Sequence, residues 1–214
     1  MSIARKILMG AAGAGSKSTY VDDVFSTYLY RGNATAGHTI TNGIDLAGEG
    51  GMVWIKSRTS QSVNEVVDSA RGVGHLLVTN YNSAQGGATS AEIDQFNSDG
   101  FRLAYRSAGG NANNVDYSSW TFRKQKGFFD VVTYTGTGSA RTVSHNLASV
   151  PGCIMVKRID GGSEDWVVYH RGISDIWGNN PGYYYVYLNT TNGASGAQSR
   201  FNNVAATSTE FSVG

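Results

Sequence analysis

The chain has 214 residues, with 17 Lys and Arg against 16 Asp and Glu and a formal net charge of +1. That balance excludes a strongly basic nucleic-acid binder, which carries a clustered Lys/Arg excess, and an acidic solvating tail. The single cysteine, Cys153, excludes an internal disulfide framework and a Cys-rich zinc site. No window approaches the roughly 18 consecutive apolar residues of a membrane-crossing helix, so no membrane insertion is expected. Glycine is abundant at 28 residues, yet 40% of the chain is hydrophobic, which is enough to build a core. The length suits one large domain or two small ones, since domains commonly run to roughly 100–150 residues.

Residues 1–20 form a different kind of sequence from the rest. Arg5 and Lys6 followed by Ile7, Leu8 and Met9 imitate a signal peptide, but the apolar core is short and broken by Gly10 and Gly13. Gly15-Ser16-Lys17-Ser18 imitates a phosphate-binding loop, but Ser16 stands where glycine is required and no buried strand precedes it. The remaining reading is an exposed arm, extended or briefly helical. Ile3, Ile7 and Leu8 would share one sticky face, and about two turns of helix need a partner to be stable. A frayed terminus without a role is the alternative.

From Phe25 the chain turns to β patterns. Phe25–Tyr30 is aromatic and β-branched and stops at Gly32-Asn33; Phe129–Tyr134 does the same and stops at Gly136. Thr39–Asn42 matches Thr142–His145, and Gly51–Lys56 matches Gly152–Lys157. Val66-Val67 and Arg71-Gly72 match Trp166-Val167 and Arg171-Gly172. Leu77–Asn80 matches Val186–Asn189, and Ser98–Phe101 matches Ser208–Phe211. The offset stays near about 100 residues, a period too long for a solenoid and suited to a small domain.

Met52–Ile55 and Cys153–Val156 are continuous apolar runs, expected as strands covered on both faces with the Cys153 thiol buried. Asn97–Phe101 reads as a tight hairpin in which Asp99-Gly100 supplies the positive φ. Only Val63–Ala70 hints at a helical period. The expected fold is therefore all-β. Two tandem lectin-like, jelly-roll-type β-sandwiches arise from an internal duplication, at residues 21–125 and 126–214, behind an N-terminal arm at 1–20. The first copy reaches a further strand at Tyr117–Phe122 that the second lacks. Natural sheets avoid a long open edge. The missing strand is expected to come from polypeptide beyond Gly214 or from a neighbouring chain, with the Phe211–Val213 strand as the open edge.

No catalytic set emerges. His38, His75, His145 and His170 show no metal-binding spacing, and the two copies share no histidine. The Asn97–Gly100 segment lacks the acids of a calcium loop. Paired carboxylates for glycoside cleavage could be Asp45 with Glu49, Asp68 with Asp22 or Asp23, or Glu164 with Asp165, but no spacing selects among them. Neither a catalytic residue nor a cofactor is expected. Aromatics offer a better lead. Trp177, Asn179, Asn180, Tyr183 and Tyr185 fall in an insertion that the first copy lacks, where rings and amides suit sugar faces and hydroxyls. The competing reading, which the alternation of Tyr183, Tyr185 and Tyr187 favours, is a strand face packed in a core or against another subunit.

The arm Met1–Gly15, the segment Val21–Tyr30 and the blocks DLAGEGGMVWIKSR (45–58), NSDGF (97–101), SWTFRK (119–124), FFDVVTYTG (128–136) and HNLASVPGCIMVKR (145–158) resemble structural proteins of marine tailed bacteriophages. Those phages infect cyanobacteria or pelagic bacteria. The resemblance implies a virion protein of tail-fibre or tail/collar-appendage type, located in the particle and built of lectin-like sandwiches. Its partners would be other virion tail proteins and copies of itself, a trimer in particular, and it would contact host-surface polysaccharide but no nucleic acid. Ile3, Arg5, Lys6, Ile7, Leu8 and Met9 are the candidate anchoring residues. A lectin-like receptor-recognition module and a polysaccharide depolymerase are the alternatives. Deleting Met1–Ser18 is expected to leave assembled particles without the protein; particles that retain the shortened chain would contradict the anchoring role.

Overall fold

The computed structural model describes residues 19–105, 109–173, 182–196 and 198–214, so the arm expectation lies outside the described residues. A single helical turn, α1 (Val21–Val24), leads into β1 (Phe25–Arg31), β2 (His38–Thr41), β3 (Gly51–Ser57), β4 (Glu65–Asp68) and β5 (Leu77–Val78). Next come β6 (Ile93–Asn97), β7 (Gly100–Leu103) and β8 (Asp116–Arg123). The C-terminal half holds β9 (Arg141–Ser144), β10 (Cys153–Val156), β11 (Val167–His170), β12 (Tyr184–Tyr187), β13 (Ser195–Gly196), the short helix α2 (Gln198–Phe201) and β14 (Glu210–Val213). The chain is thus nearly all β, and all its strand pairs are antiparallel.

The N-terminal half has a five-stranded sheet in the order β1-β8-β3-β4-β5 and a three-stranded sheet in the order β2-β7-β6. Side chains alternate along a strand, and β3 is apolar on both faces. Val53 and Ile55 enter a core with Ile40, Phe101 and Leu103 of the three-stranded sheet and Tyr30 and Tyr117 of the five-stranded one. Met52 and Trp54 belong to a second cluster with Val66, Leu77 and Trp166. Tyr117, Ser119 and Thr121 of β8 are buried, and the amide of Asn42 ties Thr121 to the strand-β2 layer at 2.8 Å.

The C-terminal half has a four-stranded sheet, β10-β11-β12-β13, and a two-stranded sheet, β14-β9. Val143, Phe211 and Val213 form its core with Val132, Ile154 and Val156 against them, and Tyr169, Tyr185 and Phe201 form a neighbouring cluster. Local pairings recur between the halves. Ile40 lies opposite Phe101 in β2–β7, and Val143 lies opposite Phe211 in β9–β14. Hairpin β3–β4 sets Val53 opposite Val67, and β10–β11 sets Ile154 opposite Tyr169.

Five expectations need correction. Asn97–Phe101 is a hairpin, but its two turn residues are Ser98 and Asp99; Gly100 begins β7 at φ 152°. Glycine is required there because a Cβ would collide with the carbonyl of Ile40 on β2. Val63–Ala70 yields strand β4 rather than a helix, because Val66 and Val67 bury on opposite faces. Phe129–Tyr134 is not a strand: only an isolated bridge joins Gln125 and Phe129, since no strand lies where β8 lies against β1. Cys153 is exposed, not buried, and β10 alternates between exposed and half-buried instead of being covered on both faces. Finally, Phe211–Val213 is not an open edge. Residues of its own half cover it, with Asn202 donating to the Ser212 hydroxyl at 2.8 Å and the Val213 carbonyl at 2.7 Å.

The halves meet at Trp166, whose indole N–H donates to the carbonyl of Val78 at 2.9 Å inside the second cluster. Around it, Lys157 donates to the carbonyls of Asn82, Arg158 and Glu164 at 3.1, 3.0 and 2.8 Å, and the amide of Gln85 donates to the carbonyl of Ile159 at 3.2 Å. Asp130 pins the chain between the halves. Burial pushes its carboxyl up, but the Asn146 amide at 2.8 Å, the Lys124 ammonium at 3.0 Å and the Val131 amide together hold it below the usual carboxylate range. A pKa lower in the folded than in the unfolded state stabilises above the unfolded value, about 3.9, and that stability is lost as pH falls through the folded value. Asp130→Asn should therefore cost about 1 kcal/mol at neutral pH after solvent screening. The difference from the parent should begin to narrow in urea titrations below about pH 3.9 and close only below the folded value; a pH-independent difference would contradict the assignment.

Candidate functional site

Docking of the halves leaves an open groove of about 740 Å³ at their junction, lined by Trp54, Asn64, Thr79, Asn80 and the run Leu188–Asn192. Each wall follows from local structure. Trp54 sits on β3 and meets Trp120 of β8 edge to face, with ring centroids 6.0 Å apart. Asn64 immediately precedes β4, Thr79-Asn80 follows β5, and Leu188–Asn192 follows β12.

One hydrogen-bonded latch occurs on both walls. The side-chain oxygen of Asn80 accepts the backbone N–H of Asn64 at 2.9 Å, while the Thr79 N–H donates back to the Asn64 carbonyl at 3.0 Å. On the opposite wall the Asn189 oxygen accepts the N–H of Trp166 at 2.9 Å, and the Leu188 N–H donates to the Trp166 carbonyl at 3.1 Å. In each case an asparagine satisfies the residue that precedes a strand, which fixes the turn on the groove wall. The Asn189 amide also donates to Asp165 at 2.7 Å. Lys56 occupies the Asn64 oxygen at 3.2 Å. Among the described residues, the amide nitrogens of Asn64 and Asn80 have no partner, so both remain as donors. The lining holds no carboxylate, histidine, cysteine or cation. Such a surface offers an apolar ring with amides and hydroxyls, the complement of a neutral polyol rather than of an ionic ligand.

The sequence-derived candidates fall elsewhere. Ile3, Arg5, Lys6, Ile7, Leu8 and Met9 lie outside the described residues, as do Trp177, Asn179 and Asn180. Tyr183 is half-buried, its ring against Gly196 and edge to face with Tyr184 at 4.9 Å. Tyr185 is buried with Tyr169 and Phe201, and the Arg200 guanidinium lies 5.8 Å from its ring centroid. Hydrogen bonding from the Tyr187 hydroxyl, together with Arg200, lowers the Tyr185 phenol pKa despite burial. Packing therefore accounts for Tyr185.

Four of the seven carboxylate candidates, Asp23, Asp45, Asp68 and Asp165, are engaged locally. Asp68 is buried against Arg71 at 2.6 Å. Asp45 accepts the Gly48 amide at 2.7 Å and Asp23 accepts the Tyr20 amide at 3.0 Å. Asp165 is bound to Asn189. Two of the histidines serve turns: His145 accepts the Leu147 amide at 3.2 Å and His170 accepts the Gly172 amide at 3.1 Å, while His38 Nδ1 lies 3.0 Å from the Asn111 side-chain oxygen. Two buried acids escaped the sequence reading. Glu65 begins β4 and accepts the Glu92 amide at 2.6 Å, and both side chains are sealed from solvent. Nor did the sequence reading select the groove asparagines, although Asn80 and Asn189 are the one polar residue identical in the matched blocks Leu77–Asn80 and Val186–Asn189.

An all-β chain with a neutral aromatic and amide groove is the class that this geometry defines. The chain belongs to the family described as a domain of unknown function, DUF7483, whose profile matches residues 21–214. No curated protein and no solved structure matches. Asn189→Ala removes the acceptor for the Trp166 amide and the donor to Asp165 together, so it should destabilise the fold by about 1–3 kcal/mol in urea denaturation. An unchanged midpoint would show that water replaces the latch.

Proposed function

We propose that the chain is a non-enzymatic structural module of a bacteriophage virion, of tail-fibre or tail/collar-appendage type, whose inter-half groove contacts neutral host-surface polysaccharide. The observation that carries the binding role is the groove itself: a tryptophan beside free asparagine amides and threonine hydroxyls, with no charged lining. The appendage role is supported by the likeness of the arm and of the long sequence blocks to marine phage structural proteins. It fits a chain of low charge and high β content that would work in an oligomer, a trimer by preference.

The body is read as two tandem, lectin-like jelly-roll sandwiches from a duplication. Support comes from the first core, which draws on both sheets of the N-terminal half. It comes also from the pairings Ile40–Phe101 and Val143–Phe211, and from the latch that Asn80 and Asn189 make in the same way.

Glycan-array or host-polysaccharide binding tests the role. Asn192 is exposed and free of side-chain bonds, so Asn192→Ala should weaken binding several-fold with the fold intact. Trp54→Ala should weaken binding about tenfold or more (about 1.4 kcal/mol). Binding unaffected by both substitutions would overturn the groove assignment, and release of reducing ends from the polysaccharide would make the protein a depolymerase instead.

A further inference from the structure

The two halves differ at one place in their sheets. In the N-terminal half β8 lies between β1 and β3 and pairs with both, from Phe25–Phe122 to Arg31–Asp116 on one side and from Gly51–Arg123 to Ser57–Tyr117 on the other. In the C-terminal half β10 is the edge of its sheet. The direction of its free bonds follows from antiparallel alternation. The Arg171 amide donates to the Gly152 carbonyl at 2.9 Å, so Ile154 and Val156 exchange bonds with β11 while Cys153 and Met155 direct their N–H and C=O groups away from it. Met52 and Trp54 of β3 stand in the same phase, since Ser69 donates to the Gly51 carbonyl at 2.9 Å, and their outward bonds go to β8. Among the described residues, Cys153 and Met155 have no such partner, and the 132–136 segment makes no backbone–backbone bond. A cleft of about 410 Å³ is lined by Thr133, Tyr134 and Thr135, by Ile159 just beyond β10, and by Ala70, Arg71 and Gln85 of the N-terminal half.

We propose that the outer edge of β10 is an acceptor for one β-strand supplied by a second polypeptide, running antiparallel to β10 as β8 runs to β3. The chemistry of the occupant is set by what β8 does. Over the four residues that pair with Met52–Ile55, β8 alternates between small hydroxyl side chains facing the core, Ser119 and Thr121, and aromatic ones on the outer face, Trp120 and Phe122. An incoming strand meets Ile154 and Val156 on the inner side, where bulk is limited by the Val143–Phe211 core. On the outer side it meets Met155, which stands 39% exposed where β3 carries Trp54; an aromatic ring there gains a sulfur contact. A twin of this chain cannot lend its β8 without dismantling its own five-stranded sheet. The proposed occupant is a segment with this alternation in another protein, joined by main-chain bonds for affinity and by alternate side chains for specificity. This inference does not depend on the glycan groove.

The test is hydrogen exchange on the full chain with a synthetic peptide of sequence NVDYSSWTFRK, residues 114–124, as the probe. At about ten times its dissociation constant the amides of Cys153 and Met155 should exchange about tenfold more slowly, with β8 unchanged. The same peptide N-methylated on the edge that faces β10 should give no protection. Met155→Lys, which puts a charge on the exposed side chain, should abolish the effect while circular dichroism stays that of the parent. Absence of protection at saturating peptide overturns the proposal, and so does equal protection by the N-methylated peptide. Amides of Cys153 and Met155 already slow without peptide overturn it too: a concentration dependence with a dimer mass would assign the edge to a second copy, and no concentration dependence would assign it to the chain's own residues.

Discussion

A sheet that is apolar on both faces cannot stand alone in water, and the five-stranded sheet is such a sheet. One face is closed by β2, β6 and β7. The other carries Met52, Trp54, Val66, Leu77 and Phe122, and Trp166 of the C-terminal half seals it. Burying each such side chain contributes about 1.5–3 kcal/mol. The indole can enter that cluster because its N–H finds the Val78 carbonyl. Everything that follows from the docking depends on this contact. It sets the turn after β5 beside the turn after β12, and the groove is the space that those turns leave open.

Strand content was legible because apolar runs and turn residues mark it directly: Met52–Ile55 and Tyr117–Phe122 read as strands and form strands. What the pattern could not convey is which neighbours a strand would have. Cys153–Val156 is as apolar as Met52–Ile55, yet its exposure depends on a flanking strand and on a covering layer, both of them tertiary properties. Phe129–Tyr134 has the composition of β1 and lacks only the partner that would make it a strand. In the same way, the expected open edge was placed at Phe211–Val213 because sequence order suggested it. The sheet order puts β8 beside β1 and β3, so the strand that follows β7 in sequence is not its neighbour in space.

The candidate site was less legible. Ring-rich loops draw attention in a sequence, but Tyr185 is consumed by packing. Asn64, Asn80 and Asn189 carry the groove and look like ordinary turn residues, since an asparagine that satisfies a neighbouring amide has no signature distinct from any other turn former. Only the recurrence of Asn80 and Asn189 in matched blocks marked them. Glu65 and Glu92 show the converse: acids near polar residues, Asn64 and Asp94, which pattern alone assigns to solvent and the fold buries.

The groove and the open strand edge are both consequences of how the two halves differ and how they meet. The groove is lined by an aromatic ring, amides and hydroxyls, and β10 ends its sheet. A structure determined with an oligosaccharide of the host-surface polysaccharide tests the central claim most directly. A sugar ring should lie against Trp54, with hydroxyls within hydrogen-bond reach of the Asn64 and Asn80 amides; a bound oligosaccharide that leaves this groove empty would contradict the binding role.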